Sequence, residues 1–109
     1  AFASAGAALI AEDLGTIPDF VRESLQALQL PGYKVMRWER DWHAPGQPFH
    51  DPATYAPASL ATTGTHDTDM LADWWDTATD EEKTALLRMP RLREFGFGPA
   101  SPFDDRLRD

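Results

Sequence analysis

Residues 39–58 carry four prolines, at positions 45, 48, 52 and 57, a spacing that rules out a regular helix across the stretch. The middle of the chain is thereby committed to a long irregular connection, and regular elements must lie on either side of it. Connections of this length are uncommon in compact domains and often bind something. The same stretch holds Trp42, His43, Phe49, His50 and Tyr55. Those rings suit contact with a sugar or another flat ligand. They suit equally well the pinning of the loop onto its own domain, and both readings stay open.

Ahead of the loop, Ala7, Ala8, Leu9, Ile10 and Ala11 form an apolar run stopped by Glu12, Asp13 and Gly15. The run reads as a strand buried on both faces of a parallel sheet, although its alanines also suit a helix. Ile17, Val21, Leu25 and Leu28 then recur at helical spacing. Thr16 falls in the N-cap region of that helix and Pro18 in its first turn. Leu30, Pro31 and Gly32 end it, with Gly32 expected to take the turn conformation. Residues 34–38 (KVMRW) read as a second strand, with Trp38 at its end.

Beyond the loop, residues 59–63 (SLATT) read as a third strand, followed by Gly64, Thr65, His66 and Asp67. Met70, Leu71, Trp74 and Trp75 fall on one side of a helix, and the two tryptophans are assigned to the core. Thr79 with Glu82 three residues later is a capping-box pattern. It opens a helix through Ala85, Leu86 and Leu87 that stops before Pro90. From Arg91 onward, mixed charge, Gly and Pro predict little regular structure.

Strands alternating with helices predict a parallel α/β fold, either a closed barrel or an open doubly wound sheet. Both gather functional groups just beyond the C-terminal ends of strands. Glu12 and Asp13 follow the first expected strand, and His66 and Asp67 follow the third. Two carboxylates meeting at one rim suit glycosyl chemistry. One is kept protonated to give a proton to a leaving oxygen, helped by a neighbouring negative charge. The other, ionised, stabilises positive charge on an oxocarbenium-like sugar. Acids are also favoured at helix starts, so on spacing alone a plain capping role for Glu12 and Asp67 stays open.

Composition removes several competing chemistries. With no cysteine, thiol nucleophiles, thiolate metal sites and disulfides are excluded. A formal charge of −8 argues against nucleic acid or an anionic membrane surface as partner. No run approaches the ~18 apolar residues that a membrane span needs. His66 and Asp67 have no third ligand at metal spacing, so no metal is expected. There is no GxSxG elbow, and Gly15 and Gly32 form no phosphate loop. The first residues lack the basic region of a secretory signal, which makes the cytoplasm the expected compartment. The chain begins with Ala rather than Met, and is read as a piece of something longer.

Four motifs, IAEDLG, LPGYKVMRWE, PFHDPATYAP and TGTHDTD, follow one another ahead of a tryptophan-bearing helix. In that order and spacing they resemble the 4-α-glucanotransferases called amylomaltase or disproportionating enzyme, which form glycoside hydrolase family 77 of the α-amylase superfamily. The likeness runs from about Leu9 to about Lys83. It implies that residues 1–109 are a partial catalytic domain, a fragment of a TIM (β/α)8 barrel covering roughly strands five to seven with their helices. It implies Glu12 as general acid/base and Asp67 as transition-state stabiliser. It further implies His66 holding sugar hydroxyls, Trp38 lying near bound glucan, and Asp13 in a supporting role.

The implied reaction is the retaining transfer of an α-1,4-glucan segment to the 4-hydroxyl of an acceptor sugar, the disproportionation of malto-oligosaccharides. It needs no cofactor. The family's nucleophilic Asp and an accompanying Arg follow the fourth strand and have no match here. The remainder of the barrel is therefore an expected partner, and the chain alone is expected to be inactive. Thr68 stands where other members often have Asn. The alternatives are another α-glucan-active barrel hydrolase, or a non-catalytic α/β module that binds a sugar or a protein.

Overall fold

A computed structural model describes residues 3–108. The chain ends included in the reading above, Ala1, Phe2 and Asp109, lie outside the described residues. Two short strands, β1 (Gly32–Val35) and β2 (Ser59–Thr62), pair in parallel. The register sets Gly32 beside Ser59 and Val35 beside Thr62, so whatever follows the two strands emerges at one end of the sheet. Met36 extends the ladder by one bond, its N–H donating to Thr62 O at 2.8 Å.

At their C-terminal ends β1 stops three residues and β2 one residue short of the expected bounds, and β1 starts two residues earlier. Past Met36 the chain curls: Trp38 N–H and Glu39 N–H both donate to Val35 O, at 2.8 and 3.1 Å. Trp38 therefore stands on the turn after β1 rather than at its last residue.

The expected first strand, residues 7–11, is irregular. Among the described residues, only Ala11 N–H bonds alongside, donating at 2.9 Å to the carbonyl of Pro31, the residue just before β1. Pro31 has no N–H to return, so no ladder develops on that side. Ile10 is exposed rather than buried.

Helix α1 (Asp19–Ala27) follows the apolar stripe, with Ile17, Val21 and Leu25 half-buried and Leu28 left exposed. Pro18 rather than Thr16 holds the N-cap position, and no side chain caps it. The C-terminal turn falls at Gln29, in the left-handed region at φ 53°, and Leu30 N–H reaches back to Leu25 O at 2.9 Å. Gly32 opens β1 instead of making that turn.

The core is built mainly from the second half of the chain. Helices α2 (Leu71–Thr77), α3 (Asp80–Leu87), α4 (Pro90–Glu94) and α5 (Asp105–Arg108) surround a cluster of Trp75, Ala85, Leu86, Leu87, Met89 and Phe49. Trp75 is 2% exposed and donates its Nε1–H to Ser101 O at 2.9 Å, so the one polar atom of its ring is satisfied. Trp74 packs against this cluster, half-buried. Met70 precedes α2 and is exposed, off the side expected of it.

Both halves of the capping box form at the start of α3: Glu82 N–H donates to Thr79 Oγ1, and Thr79 N–H to the Glu82 carboxylate. Pro90 does more than stop α3. It takes the first turn of α4, where its missing N–H costs nothing. The expectation of little structure beyond Arg91 is corrected accordingly, since Leu92, Phe97, Phe103 and Leu107 pack against the core.

The proline-rich connection closes as an irregular hairpin. Arg40 and Phe49 form an antiparallel bridge, with Asp41 N–H donating to Pro48 O and His50 N–H to Glu39 O. Phe49 drops into the core, while Trp42 stays exposed. Arg40 holds the hairpin shut. Its guanidinium lies 4.2 Å from the Phe49 ring centroid, 2.9 Å from Gln47 O and 3.5 Å from Glu82 Oε1.

Tyr55 is the half-buried ring of this connection. Its hydroxyl is buried without a hydrogen-bond partner among the described residues. Burial, then the negative charges of Glu39 and Asp51, push its pKa up to about 12.

The Cα radius of gyration is 16.1 Å, against the roughly 13 Å of a compact domain of this length. The excess reflects a core drawn mainly from the later helices, with none of the described side chains before Gly32 fully buried.

Candidate active site

Asp13 is the most constrained of the candidate acids. Its side chain is 9% exposed, its Oδ1 accepts Tyr33 N–H at 2.6 Å, and its Oδ2 lies 3.6 Å from Arg22 Nη1. The approach requires glycine at position 32, where a β-carbon would lie 2.9 Å from both Asp13 carboxylate oxygens. With the Ala11–Pro31 bond, this contact runs residues 11–13 parallel to the first residues of β1. Glu12, between the two anchors, is exposed, and its carboxylate has no hydrogen bond or ion pair among the described residues.

His66 and Asp67 stand on the turn after β2. Their side chains are 81% and 79% exposed and meet at 3.2 Å, His66 Nε2 to Asp67 Oδ2. The turn beneath them is closely tied. Thr65 N–H donates to Thr68 Oγ1 at 2.9 Å, that hydroxyl donates to Thr65 O at 2.9 Å, and Asp67 N–H donates to Thr65 Oγ1 at 3.2 Å. Among the described residues, no group of three His, Asp or Glu side chains converges as a metal site.

Trp38 is 43% exposed and lines a cleft of about 380 Å³ together with Asp13, Tyr33, Glu39, Arg40 and Trp42. Trp42 is 52% exposed, with Arg40 Cζ 5.3 Å from its ring centroid. The cleft thus offers two aromatic faces beside carboxylates and guanidinium groups, a surface suited to a polyhydroxylated ring. Asp13 and Trp38 share it, while Glu12, His66 and Asp67 are not among its lining residues. A larger cavity of about 850 Å³ is mostly apolar, lined by Met36, Leu71, Trp75, Leu86 and Phe103, and contains none of the candidate acids.

Sequence reasoning missed Tyr33, Arg22 and Arg37 as parts of this region. Arg37 directly follows Met36 at the end of the ladder and sends its guanidinium across to the β2 turn. A single sequence carries no signal for which carbonyl an arginine will meet.

Parallel strands flanked by helices, with acids on the segments beside and beyond them, place the molecule in the α/β class. The chain belongs to glycoside hydrolase family 77, the 4-alpha-glucanotransferases, whose family model matches residues 1–102. Among similar proteins, the 4-alpha-glucanotransferase of Chlamydia muridarum is 40% identical over 92 residues, covering 81% of this chain and 17% of that protein. That of Chlamydia caviae is 43% identical over 72 residues, covering 66% and 13%. The chloroplastic/amyloplastic 4-alpha-glucanotransferase of Solanum tuberosum is 34% identical over 80 residues, covering 73% and 14%. The chain thus spans 13–17% of the length of these relatives. Family membership implies a TIM-barrel enzyme, of which these residues form a small α/β piece with two parallel strands.

Proposed function

We propose that this chain is part of the catalytic barrel of a 4-α-glucanotransferase, covering roughly barrel strands five to seven, and that it works on α-1,4-glucans. In this reading β1 and β2 are barrel strands six and seven, and residues 7–11 are the fifth. Two parallel strands left half-exposed support it, because parallel sheets are ordinarily covered on both faces and extended at both edges.

Glu12 is the general acid/base. Its carboxyl group, protonated at this stage, gives a proton to the departing 4-oxygen of the donor glucan, while a carboxylate from another part of the barrel attacks the anomeric carbon. In the second half-reaction Glu12 takes the proton of the acceptor's 4-hydroxyl as that oxygen displaces the enzyme carboxylate. Asp67 stabilises the oxocarbenium-like transition state, and His66 beside it holds sugar hydroxyls. Trp38 offers an aromatic face to bound glucan. Asp13 supports Glu12 by tying its segment to β1. Transfer prevails over hydrolysis when acceptor sites bind sugar and exclude water.

The observation that carries this reading is the family match over residues 1–102, a span that contains both acids. It is tested in the full-length transferase carrying this segment, with Glu12→Gln and Asp67→Asn assayed for maltotriose disproportionation. Each is expected to lose turnover by about three orders of magnitude or more while retaining glucan binding. Wild-type turnover in either variant overturns the assignment of that residue.

A further inference from the structure

We propose that Arg37 and Thr68 are positioning residues for Asp67, together clamping the turn that presents it; the inference rests on the role given to Asp67 above. The turn is gripped at two levels. At its base, Arg37 Nε donates to Thr63 O at 3.0 Å and Arg37 Nη2 donates to Asp69 O at 2.6 Å. These carbonyls lie on opposite sides of His66 and Asp67, so one guanidinium closes the loop across its two stems. Within the turn, the Thr68 hydroxyl both accepts from Thr65 N–H and donates to Thr65 O, each at 2.9 Å.

The two levels converge on Gly64. A β-carbon there would overlap the Thr68 hydroxyl and lie 2.6 Å from Arg37 Nη2. The absence of a side chain at this one position is what lets both grips reach the same short stretch of backbone.

The clamp also has a rigid footing. Arg37 follows the last ladder bond between the strands, Met36 N–H to Thr62 O. Its Cζ lies 5.7 Å from the Trp74 ring centroid on α2. The turn is thus referenced to β1, β2 and the core helices at once. Among the described residues, the Asp67 carboxylate meets only His66, and it is largely exposed, so its aim is set by the backbone beneath it. A carboxylate that stabilises a transition state must be held near its productive position before the reaction begins. A fork with two fixed N–H directions provides this, and a lysine ammonium on a flexible stem does not. Thr68 provides the inner grip through its hydroxyl, so Ser can replace it and Val cannot.

The experiment uses the full-length transferase carrying this segment and compares Arg37→Lys, Thr68→Val and Thr68→Ser. Maltotriose kcat and KM are measured beside the melting temperature and the hydrogen exchange of the Thr65 amide. Arg37→Lys and Thr68→Val are expected to lower kcat about tenfold or more, with KM within about threefold of wild type. Thr68→Ser is expected to remain within about twofold in both. In Thr68→Val the Thr65 amide is expected to exchange faster. Wild-type kcat in a folded Arg37→Lys or Thr68→Val, or a change confined to KM, overturns the proposal. Should Thr68→Val fail to fold, Arg37→Lys and Thr68→Ser decide it by the same criteria. Full turnover in Asp67→Asn removes the role given to Asp67. Unchanged Thr65 exchange in Thr68→Val removes the clamp, so the two failures are read separately.

Discussion

The segment bearing Glu12 meets β1 through one backbone bond and one buried carboxylate, Ala11 to Pro31 and Asp13 to Tyr33. The turn bearing Asp67 is held by three threonine hydrogen bonds, an arginine fork and a helix packed in the core. The contrast repeats at larger scale. Among the described residues, none before Gly32 is fully buried, whereas α3 alone contributes Ala85, Leu86 and Leu87 to the core. Two acids proposed for one reaction thus stand on supports of unequal stiffness. The first depends on a few polar anchors, and the second on packing plus a hydrogen-bonded frame.

The largest expected effect separates the supports through the core. Trp75→Ala removes a ring that is 2% exposed and is expected to cost about 3–5 kcal/mol, read as a lowered urea midpoint. Because α2 follows the Asp67 turn, exchange protection should fall at Thr65 and Asp67. A Trp75→Ala protein that melts as wild type breaks the claim that this half is packing-driven.

A smaller and opposite effect is expected from Asp13→Ala. It removes a charge-assisted bond to Tyr33 N–H, about 1.5–3 kcal/mol, and should loosen residues 11–13 while leaving the Asp67 turn protected. Exchange at the Tyr33 amide is the measure, and equal loosening of both segments would erase the comparison.

Smallest of all is Tyr55→Phe. The buried hydroxyl has no partner among the described residues, so its removal should leave stability near pH 7 unchanged or slightly raised. The sign at high pH is definite. With a folded pKa of about 12 against an unfolded value of 10.0, the folded chain keeps a proton that the unfolded chain gives up. Stability is therefore full below pH 10 and declines as pH climbs from about 10 to about 12. Tyr55→Phe should flatten that decline in melts across the alkaline range, and an unchanged slope would place its origin elsewhere.

How much of this was legible in the sequence follows the same divide. The start of α3 was readable because a capping box is a local device, in which Thr79 and Glu82 need nothing beyond each other. The stripe of Ile17, Val21 and Leu25 gave α1 for the same reason. The strands were legible in kind, but their ends moved, since the curl at Val35 depends on where Trp38 and Glu39 turn back. Residues 7–11 looked like a buried strand, yet a strand exists only with partners, and Pro31 offers no donor. Glu12, Asp67, His66 and Trp38 were picked out by motif. The grip of Arg37 was not, because it depends on carbonyls brought near by the parallel register, and the local contact of Thr68 with Thr65 was passed over. Gln29 took the turn assigned to Gly32, and the missing side chain at Gly32 instead makes room for the Asp13 carboxylate.

Glu82 divides its two oxygens between different structures, one accepting at the first turn of α3 and the other facing Arg40 inside the proline-rich hairpin. Helix initiation and closure of that connection therefore draw on a single carboxylate. A fluctuation that unwinds the start of α3 also takes away one contact of Arg40, whose guanidinium lies beside Trp42, while those to Phe49 and Gln47 remain. The aromatic wall of the cleft is, in this sense, wired to the nucleation of a helix that does not line it.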